Sequence, residues 1–293
     1  MKKVCIVIVN YNGASYQNEA VESLYAMDEQ DFDILIVDNH STDGSADMTQ
    51  KKWSSVIVLK QGENLGFAGG SNVGIEYSIL QGYQYTLLIN NDVVVDQWLL
   101  SQLLKYANDD VITVPKIYFY DKPDTIWYAG GEIRWNRLET HNIGYAETDR
   151  GQYECVREID FLNGCCMLIK NTIFNRIGKF DEKFFLYFED TDFGLRAQEA
   201  GKRILYVPDA KMWHKVSSSA GGEDSKMQVY YMNRNRLYFA KKHSGKFGFR
   251  ARLYAGLKAF VKWAVSPAYK KNDRYIRKAY MDYREGKMGK GSL

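Results

Sequence analysis

Val-Cys-Ile-Val-Ile-Val-Asn-Tyr-Asn, residues 4–12, follows Met1-Lys2-Lys3 at the start of a 293-residue chain. Two lysines ahead of an apolar run imitate a secretory signal. The run stops at Asn10-Tyr11-Asn12, short of the about 7–15 apolar residues that such a signal needs. Its β-branched content reads instead as a buried strand. No apolar stretch in the chain reaches the roughly 18 residues of a membrane span.

Working outward, the same alternation recurs. A helical pattern near 17–27 is followed by a strand, "DILIVD" (33–38). A helix near 44–53 leads to "VIVLK" (56–60). A glycine-rich loop and a helix over 70–81 lead to "YTLLIN" (85–90). This rhythm predicts an α/β fold, a mainly parallel Rossmann-like sheet flanked by helices. Continuous apolar strands are expected where both faces are covered. In such sheets ligands gather beyond the carboxyl ends of the strands. Asn10-Tyr11-Asn12, Asp38-Asn39 and Asn90-Asn91-Asp92 stand at three of those ends. The second half is less regular. "AGGEIRW" (129–135) reads as a hairpin, and "FLNGCCMLIK" (161–170) as a buried strand interrupted by Gly164. "DTDFGLRAQEAG" (190–201) reads as a helix stopped by Gly201, and "RILYVP" (203–208) as a strand ended by Pro208. No internal repeat is present.

Hydrophobic residues make up 45% of the chain, enough for a large core in one or two domains. The net charge of +3 is unevenly spread: residues 241–293 carry 15 Lys/Arg against 3 Asp/Glu, so the preceding body is acidic. Basic appendages seek phosphate-rich partners. Residues 249–265 place Leu253, Leu257, Phe260, Val261 and Ala264 on one helical face, beside Trp263, with Lys258 and Lys262 opposite. This basic amphipathic helix either lies on a membrane surface or packs on the body with its charges in solvent. Nucleic acid is not expected as a partner, because no recognised binding module is present. Four cysteines without a CxxC pair point to a reduced compartment.

Several short motifs carry chemistry. In "VDNHSTDGS" (37–45), Asp38 follows a strand and short polar residues open a helix; it either belongs to a capping loop or accepts hydrogen bonds from a base or ribose. "NLGFAGGSN" (64–72) is not GxGxxG, so a dinucleotide fold is unsupported. Its glycines suit a tight turn or the approach of a phosphate or sugar to a helix N-terminus. In "LLINNDVVV" (87–95), Asp92 offers oxygen to a hard divalent cation. His214, just past a strand, is either structural or a second ligand. "FEDTDF" (188–193) concentrates three carboxylates within four positions. They either favour a helix N-terminus through its dipole or serve acid–base chemistry.

Together these pieces resemble a family. "IVIVNYNG", "IVDNHSTDGS", "NLGFAGGSNVGI", "LLINNDV", "FLNGCCMLIK", the stretch from "GKFDEKFFLYFEDTDFGLRAQ" to "DAKMWH", and "YYMNRNRLYF" follow in the order seen in family-2 inverting glycosyltransferases of GT-A fold, in the bacterial rhamnosyltransferase-like branch. The resemblance covers roughly residues 3–240. It implies a glycosyltransferase domain over 1–240, with a nucleotide-sugar half (1–115) and an acceptor and catalytic half (116–240), followed by a basic helical tail over 241–293. It implies that Asn10, Tyr11, Asn12, Asp38, Asn64, Gly69, Asn72 and Asn91 hold the nucleotide-sugar donor. Asp92 and His214 would bind Mg²⁺ or Mn²⁺ at the diphosphate. Asp190 would be the catalytic base, with Gly164, Glu189 and Asp192 facing a saccharide or lipid-linked saccharide acceptor. Asn90 stands where this family's DxD motif often has an acid. "SSSAGG" (217–222) reads as either a lid or a linker.

The implied activity is transfer of a sugar from a dTDP-rhamnose or UDP-hexose type donor during cell-surface polysaccharide synthesis. The expected location is cytoplasmic, on the inner face of the plasma membrane. A nucleotidyltransferase would need a basic, glycine-rich triphosphate loop near the first strand, and "VNYNGASYQNEA" (9–20) contains no Lys or Arg. A non-catalytic sugar-binding relative is opposed by the retained Asp38, Asp92, Asp190 and His214.

Overall fold

The structure is a computed structural model that describes residues 2–135, 139–216, 225–245 and 271–293. Its first half alternates β1 (Val4–Asn10), α1 (Gln17–Tyr25), β2 (Phe32–Asp38), α2 (Ser45–Lys52), β3 (Ile57–Lys60), α3 (Gly66–Leu80) and β4 (Tyr85–Ile89). Then come β5 (Val93–Val95), α4 (Leu99–Leu104), β6 (Val111–Phe119) and β7 (Lys122–Tyr128). β8 (Gly131–Arg134) and β9 (Glu139–Asn142) pair antiparallel as a separate small sheet, so the stretch 129–135 supplies only the first strand of the hairpin expected there. β10 (Arg157–Glu158), β11 (Cys166–Lys170), α5 (Asn171–Ile177), α6 (Glu189–Glu199) and β12 (Arg203–His214) follow. α7 (Lys226–Lys242) and α8 (Asp273–Arg284) complete the described elements.

The main sheet runs β10-β12-β6-β11-β4-β1-β2-β3. β3, β2, β1 and β4 are mutually parallel, and β12 runs parallel to β6. β11 enters antiparallel between β4 and β6 and joins the two parallel halves. The register pairs Asn10 with Asp38, so the polar ends of β1 and β2 emerge side by side. The central strands are mostly apolar and almost completely buried, as a sheet covered on both faces requires, with Thr86 in β4 and Thr113 and Lys116 in β6 as buried polar exceptions.

Two elements extend beyond the sequence expectation, each for a packing reason. α3 begins at Gly66 rather than near residue 70, so most of the glycine-rich stretch is helical. A Cβ at Gly70 would lie 2.7 Å from Val9 Cγ1, and one at Gly74 would lie 2.2 Å from Val7 Cγ1. These glycines let the helix rest directly on β1. β12 does not end at Pro208. The ladder with β6 shifts register between Val207 and Lys211, then resumes to His214. Proline, which donates no ladder hydrogen bond, is tolerated at such a bulge.

α7 runs through position 240, the expected edge of the first domain, and α8 packs on it. Tyr230 Oη donates to Asp282 Oδ2 at 2.7 Å, and Gly291 N donates to Tyr231 Oη at 2.9 Å. The amphipathic stretch 249–265 and the loop 217–222 lie outside the described residues. Among the described residues no helix is long and apolar enough to cross a membrane.

Candidate active site

The ends of β1, β2 and β4 converge through one buried asparagine. Asn10 Nδ2 faces Asp38 Oδ1 (3.1 Å), Ser41 Oγ (3.1 Å) and Ser45 Oγ (2.8 Å). Asn10 Oδ1 accepts from Asn91 Nδ2 at 2.9 Å. The three strand ends that the sequence singled out are thus one hydrogen-bonded group. Asn12, at φ 55°, accepts from Thr42 N at 2.9 Å and ties the loop after β1 to the loop after β2. Tyr11 beside it is exposed. Asp43 accepts from Ser45 N and Ala14 N; burial opposes its ionised form, but these donors hold the carboxyl below the usual range.

Asp92 lies in the turn between β4 and β5. The antiparallel pairing of β5 with β12 sets His214 opposite Val93, one residue after Asp92. Asp92 Oδ1 then stands 3.2 Å from His214 Nε2. The alignment falls short of a hydrogen bond, and Asp92 Oδ1 and His214 Nδ1 are both buried without a hydrogen-bond partner. Buried polar atoms left unpaired are costly, and a cation held by Asp92 Oδ1 and His214 Nε2 would satisfy the first of these atoms, though not Nδ1. Adjacent ligands of an octahedral cation with bonds of about 2.1 Å sit about 3 Å apart, so this spacing fits one shared divalent ion. Among the described residues no group of three or more His, Cys, Asp or Glu stands together, so other ligands would come from substrate or water.

A turn at residues 163–165 links this pair to Asp190. Asn90 N donates to Cys165 O at 3.0 Å, and Asn90 Nδ2 lies 3.3 Å from Cys165 Sγ. Gly164 N donates to Asp190 Oδ2 at 2.9 Å. Burial pushes the Cys165 thiol well up, and Asp92, Cys166 and Asp190 add to the push. Asp190 Oδ1 accepts from Thr191 N at 2.6 Å. Burial raises the Asp190 carboxyl above its ordinary range even so.

The three acids of the motif part company. Burial, then Asp190 and Asp192, push Glu189 well up, and its Oε2 is buried without a partner. Asp192 goes the other way. Burial opposes its charge, but His243 Nε2 (2.9 Å), Lys242 Nζ (2.9 Å) and Arg196 Nε (2.9 Å) outweigh it and hold it low. Asp192 is therefore occupied by Arg196 on α6, Lys242 at the end of α7 and His243 just after it, rather than free to meet a ligand.

Other expected residues have similarly definite places. Asn64 Oδ1 accepts from Gly66 N at 2.8 Å and shapes the entry to α3. A Cβ at Gly69 would meet Leu65 Cβ at 2.8 Å. Asn72 is bonded elsewhere: its amide grips Phe180 N and O and Glu182 Oε1, fastening the segment before α6 to α3. The structure thus brings together Asn10, Asn12, Asp38 and Asn91, and separately joins Asp92, His214, Gly164 and Asp190 through the Cys165 turn. It does not add Asn72 or Asp192 to either set. Sequence reading missed Gly13, Ser41 and Ser45 around Asn10, and gave no role to Arg234 and Asn235. The Asn-Arg-Asn-Arg run at 233–236, flanked by aromatic residues, was the available signal for the last two.

Comparison with known proteins identifies the fold and the family. The chain is 26% identical over 263 residues to the N-acetylglucosaminyl-diphospho-decaprenol L-rhamnosyltransferase of Mycobacterium tuberculosis (strain CDC 1551 / Oshkosh), covering 82% of this chain and 85% of that one. It is 24% identical over 250 residues to the rhamnosyltransferase WbbL of Escherichia coli (strain K12), covering 82% and 93%. Among solved structures, GalNAc-T7 with UDP, GalNAc and Mn²⁺ aligns with a TM-score of 0.67 at 15% identity, over 97% of this chain and 57% of that one. S. aureus TarS 1-349 in complex with UDP-GlcNAc aligns at 0.53 and 16% identity, over 97% and 92%. These likenesses establish the GT-A fold. The profile described as "Glycosyl transferase family group 2" matches residues 159–270. That of "Glycosyl transferase family 2" matches residues 5–178, from the first strand to the end of the helix after β11. Because that match takes in more than half of the chain, this protein belongs to glycosyl transferase family 2 and is a glycosyltransferase.

Proposed function

We propose that this enzyme is a metal-dependent, inverting hexosyltransferase. It takes a sugar from a nucleotide diphosphate donor, of dTDP-rhamnose or UDP-hexose type, and passes it to a saccharide or lipid-linked saccharide in cell-surface polysaccharide synthesis. The observation that carries this reading is the Cys165 turn, which joins a basic, partly enclosed Asp190 to the Asp92–His214 pair, whose Asp92 Oδ1 has no hydrogen-bond partner. The rhamnosyltransferase relatives support the donor and acceptor classes.

The chain's own residues divide the work as follows. Asp38, kept in place by Asn10, would accept from the nucleotide, with Tyr11 exposed beside it. Asp92 and His214 would hold Mg²⁺ or Mn²⁺, which would offset charge on the leaving diphosphate. Asp190 would take the proton of the acceptor hydroxyl as that oxygen forms its bond to the anomeric carbon. In the same displacement the anomeric carbon–oxygen bond to diphosphate breaks, and configuration inverts. A carboxyl raised by burial is a better base near neutral pH than an ordinary one. The N–H groups of Gly164 and Thr191 aim it. Glu189, next to it, would face the acceptor. The basic tail would carry the enzyme to the cytoplasmic membrane face.

Thermal unfolding with UDP-, dTDP- and GDP-sugars, with and without Mn²⁺, tests the assignment. One donor class should raise Tm, more with Mn²⁺ than without, and Asp92→Asn should remove the Mn²⁺ increment. A donor response insensitive to Mn²⁺ and to Asp92→Asn would contradict the metal role. The absence of any donor response would contradict the whole reading.

A further inference from the structure

The aromatic stretch before α6 adopts a backbone that its residues disfavour. Phe185, Tyr187 and Phe188 have φ of 66°, 68° and 77°. Bulky side chains in the left-handed region are strained, and such strain persists only where neighbours over-determine it.

The neighbours here are two fully buried polar residues of α7. Asn235 Nδ2 stands 2.8 Å from each of three carbonyl oxygens, those of Phe184, Leu186 and Tyr187. The amide has only two hydrogens for them, so one N–H is shared. Asn235 Oδ1 accepts from Arg234 Nε at 3.0 Å, which fixes the amide's orientation. Turned over, the amide would set its oxygen against all three carbonyls. Arg234 donates through Nη2 to Lys183 O and Phe184 O, and through Nη1 to Gly289 O at 2.7 Å. Gly289 N returns a bond to Lys183 O at 2.8 Å.

The held segment reaches both sides of the site. Upstream, Phe185 O accepts from Ala68 N at 3.3 Å, and a Cβ at Gly66 would lie 2.3 Å from that same oxygen. Downstream, Phe188 O accepts from Asp192 N at 2.9 Å and opens α6, two residues before Asp190. Apolar residues of similar size could fill the same space without burying a guanidinium. They could not bind the four carbonyls of Lys183, Phe184, Leu186 and Tyr187 and so select the left-handed turn.

We infer that Arg234 and Asn235 are positioning residues for Asp190, holding the backbone of 184–188 so that the carboxylate faces the acceptor, with Gly289 of the C-terminal segment as a third strut. The inference rests on the assignment of Asp190 as the base.

The test uses full-length chains and the donor and acceptor that give turnover in the wild type. Asn235→Asp is nearly isosteric and replaces the shared N–H donors with an oxygen. Arg234→Lys keeps the charge and loses the fork. Per folded molecule, kcat should fall about 10²-fold, the loss attached to misplacing a catalytic group by about 1 Å. Donor KM should move by less than about threefold, because the lost contact serves the transition state rather than donor binding. Hydrogen exchange should quicken over residues 184–192 while β1, β2 and β4 keep their protection. A folded Asn235→Asp enzyme with kcat within about twofold of wild type, or one loosened evenly along the chain, overturns the inference. If Asn235→Asp does not fold, Arg234→Lys is judged by the same criteria. Asp190→Asn is run alongside. If it is inactive while Asn235→Asp is normal, positioning alone fails; if it stays active, the base assignment fails and takes this inference with it.

Discussion

A Cβ at Gly13 would lie 2.3 Å from Asn10 Oδ1 and 2.7 Å from Asn91 Nδ2, the two atoms that join β1 to β4. Gly13→Ala must therefore break that bond or displace the loop. It should cost about 1–3 kcal/mol in urea unfolding, the usual range for overpacking, and weaken the donor-induced rise in Tm. Unchanged stability and donor response would show that the group yields without loss. At this scale the sequence was informative where chain position alone determines direction. Asn10, Asp38, Asn91 and Asp92 end apolar strands, and strand ends of a parallel sheet meet at one crevice. It was uninformative where a partner arrives from far along the chain. Asn72 turns to Phe180, 108 residues on, and Asp192 to His243, 51 residues on. Nothing local in either motif states which way those side chains face.

The first turn of α6 shows how one short element places three carboxyls in different environments. Glu189 and Asp190 are pushed up by burial, while Asp192 is held down by Arg196, Lys242 and His243. Lys242 also reaches Asp181, so the cluster staples α6, the end of α7 and the 177–181 segment together. The sign of the pH effect follows from the lowered Asp192. An unfolded Asp titrates near about 3.9. The folded group titrates lower, so its contribution is present in full above that value and is lost as pH falls through the folded pKa. Asp192→Asn should cost about 2–3 kcal/mol near neutrality, by loss of charged hydrogen bonds, and flatten the acid side of a Tm–pH curve. An acid limb identical to wild type would remove Asp192 from this role. Element boundaries were legible where punctuation was local, as at the end of α6, where Gly201 at φ 76° follows the helix. They were misread at α3 and β12, where contact with β1 carries the helix through glycines and the ladder with β6 carries the strand past Pro208.

Across the whole molecule, the antiparallel β11 makes a mixed sheet of what the first half suggests is a parallel one, and it carries the Cys165 turn that connects the two candidate halves of the site. The basic tail now has two parts. Residues 271–293 include α8 and bond to α7, and Gly289 reaches the segment before α6, so truncation would disturb the body. Membrane attachment is better tested in the full chain by Lys258→Glu with Lys262→Glu. Each basic residue near an anionic surface contributes at most about 1 kcal/mol, so this double reversal should release the enzyme from anionic vesicles at moderate salt. Equal vesicle binding by both chains would contradict attachment through this stretch. The central claim, that Asp190 removes the acceptor's proton during sugar transfer, is tested most directly by the turnover of Asp190→Asn with donor binding followed in parallel. The account predicts that kcat falls by at least about 10²-fold, the lower range for loss of a general base, while the donor-induced rise in Tm is retained. Near-wild-type turnover in a folded Asp190→Asn enzyme would contradict it.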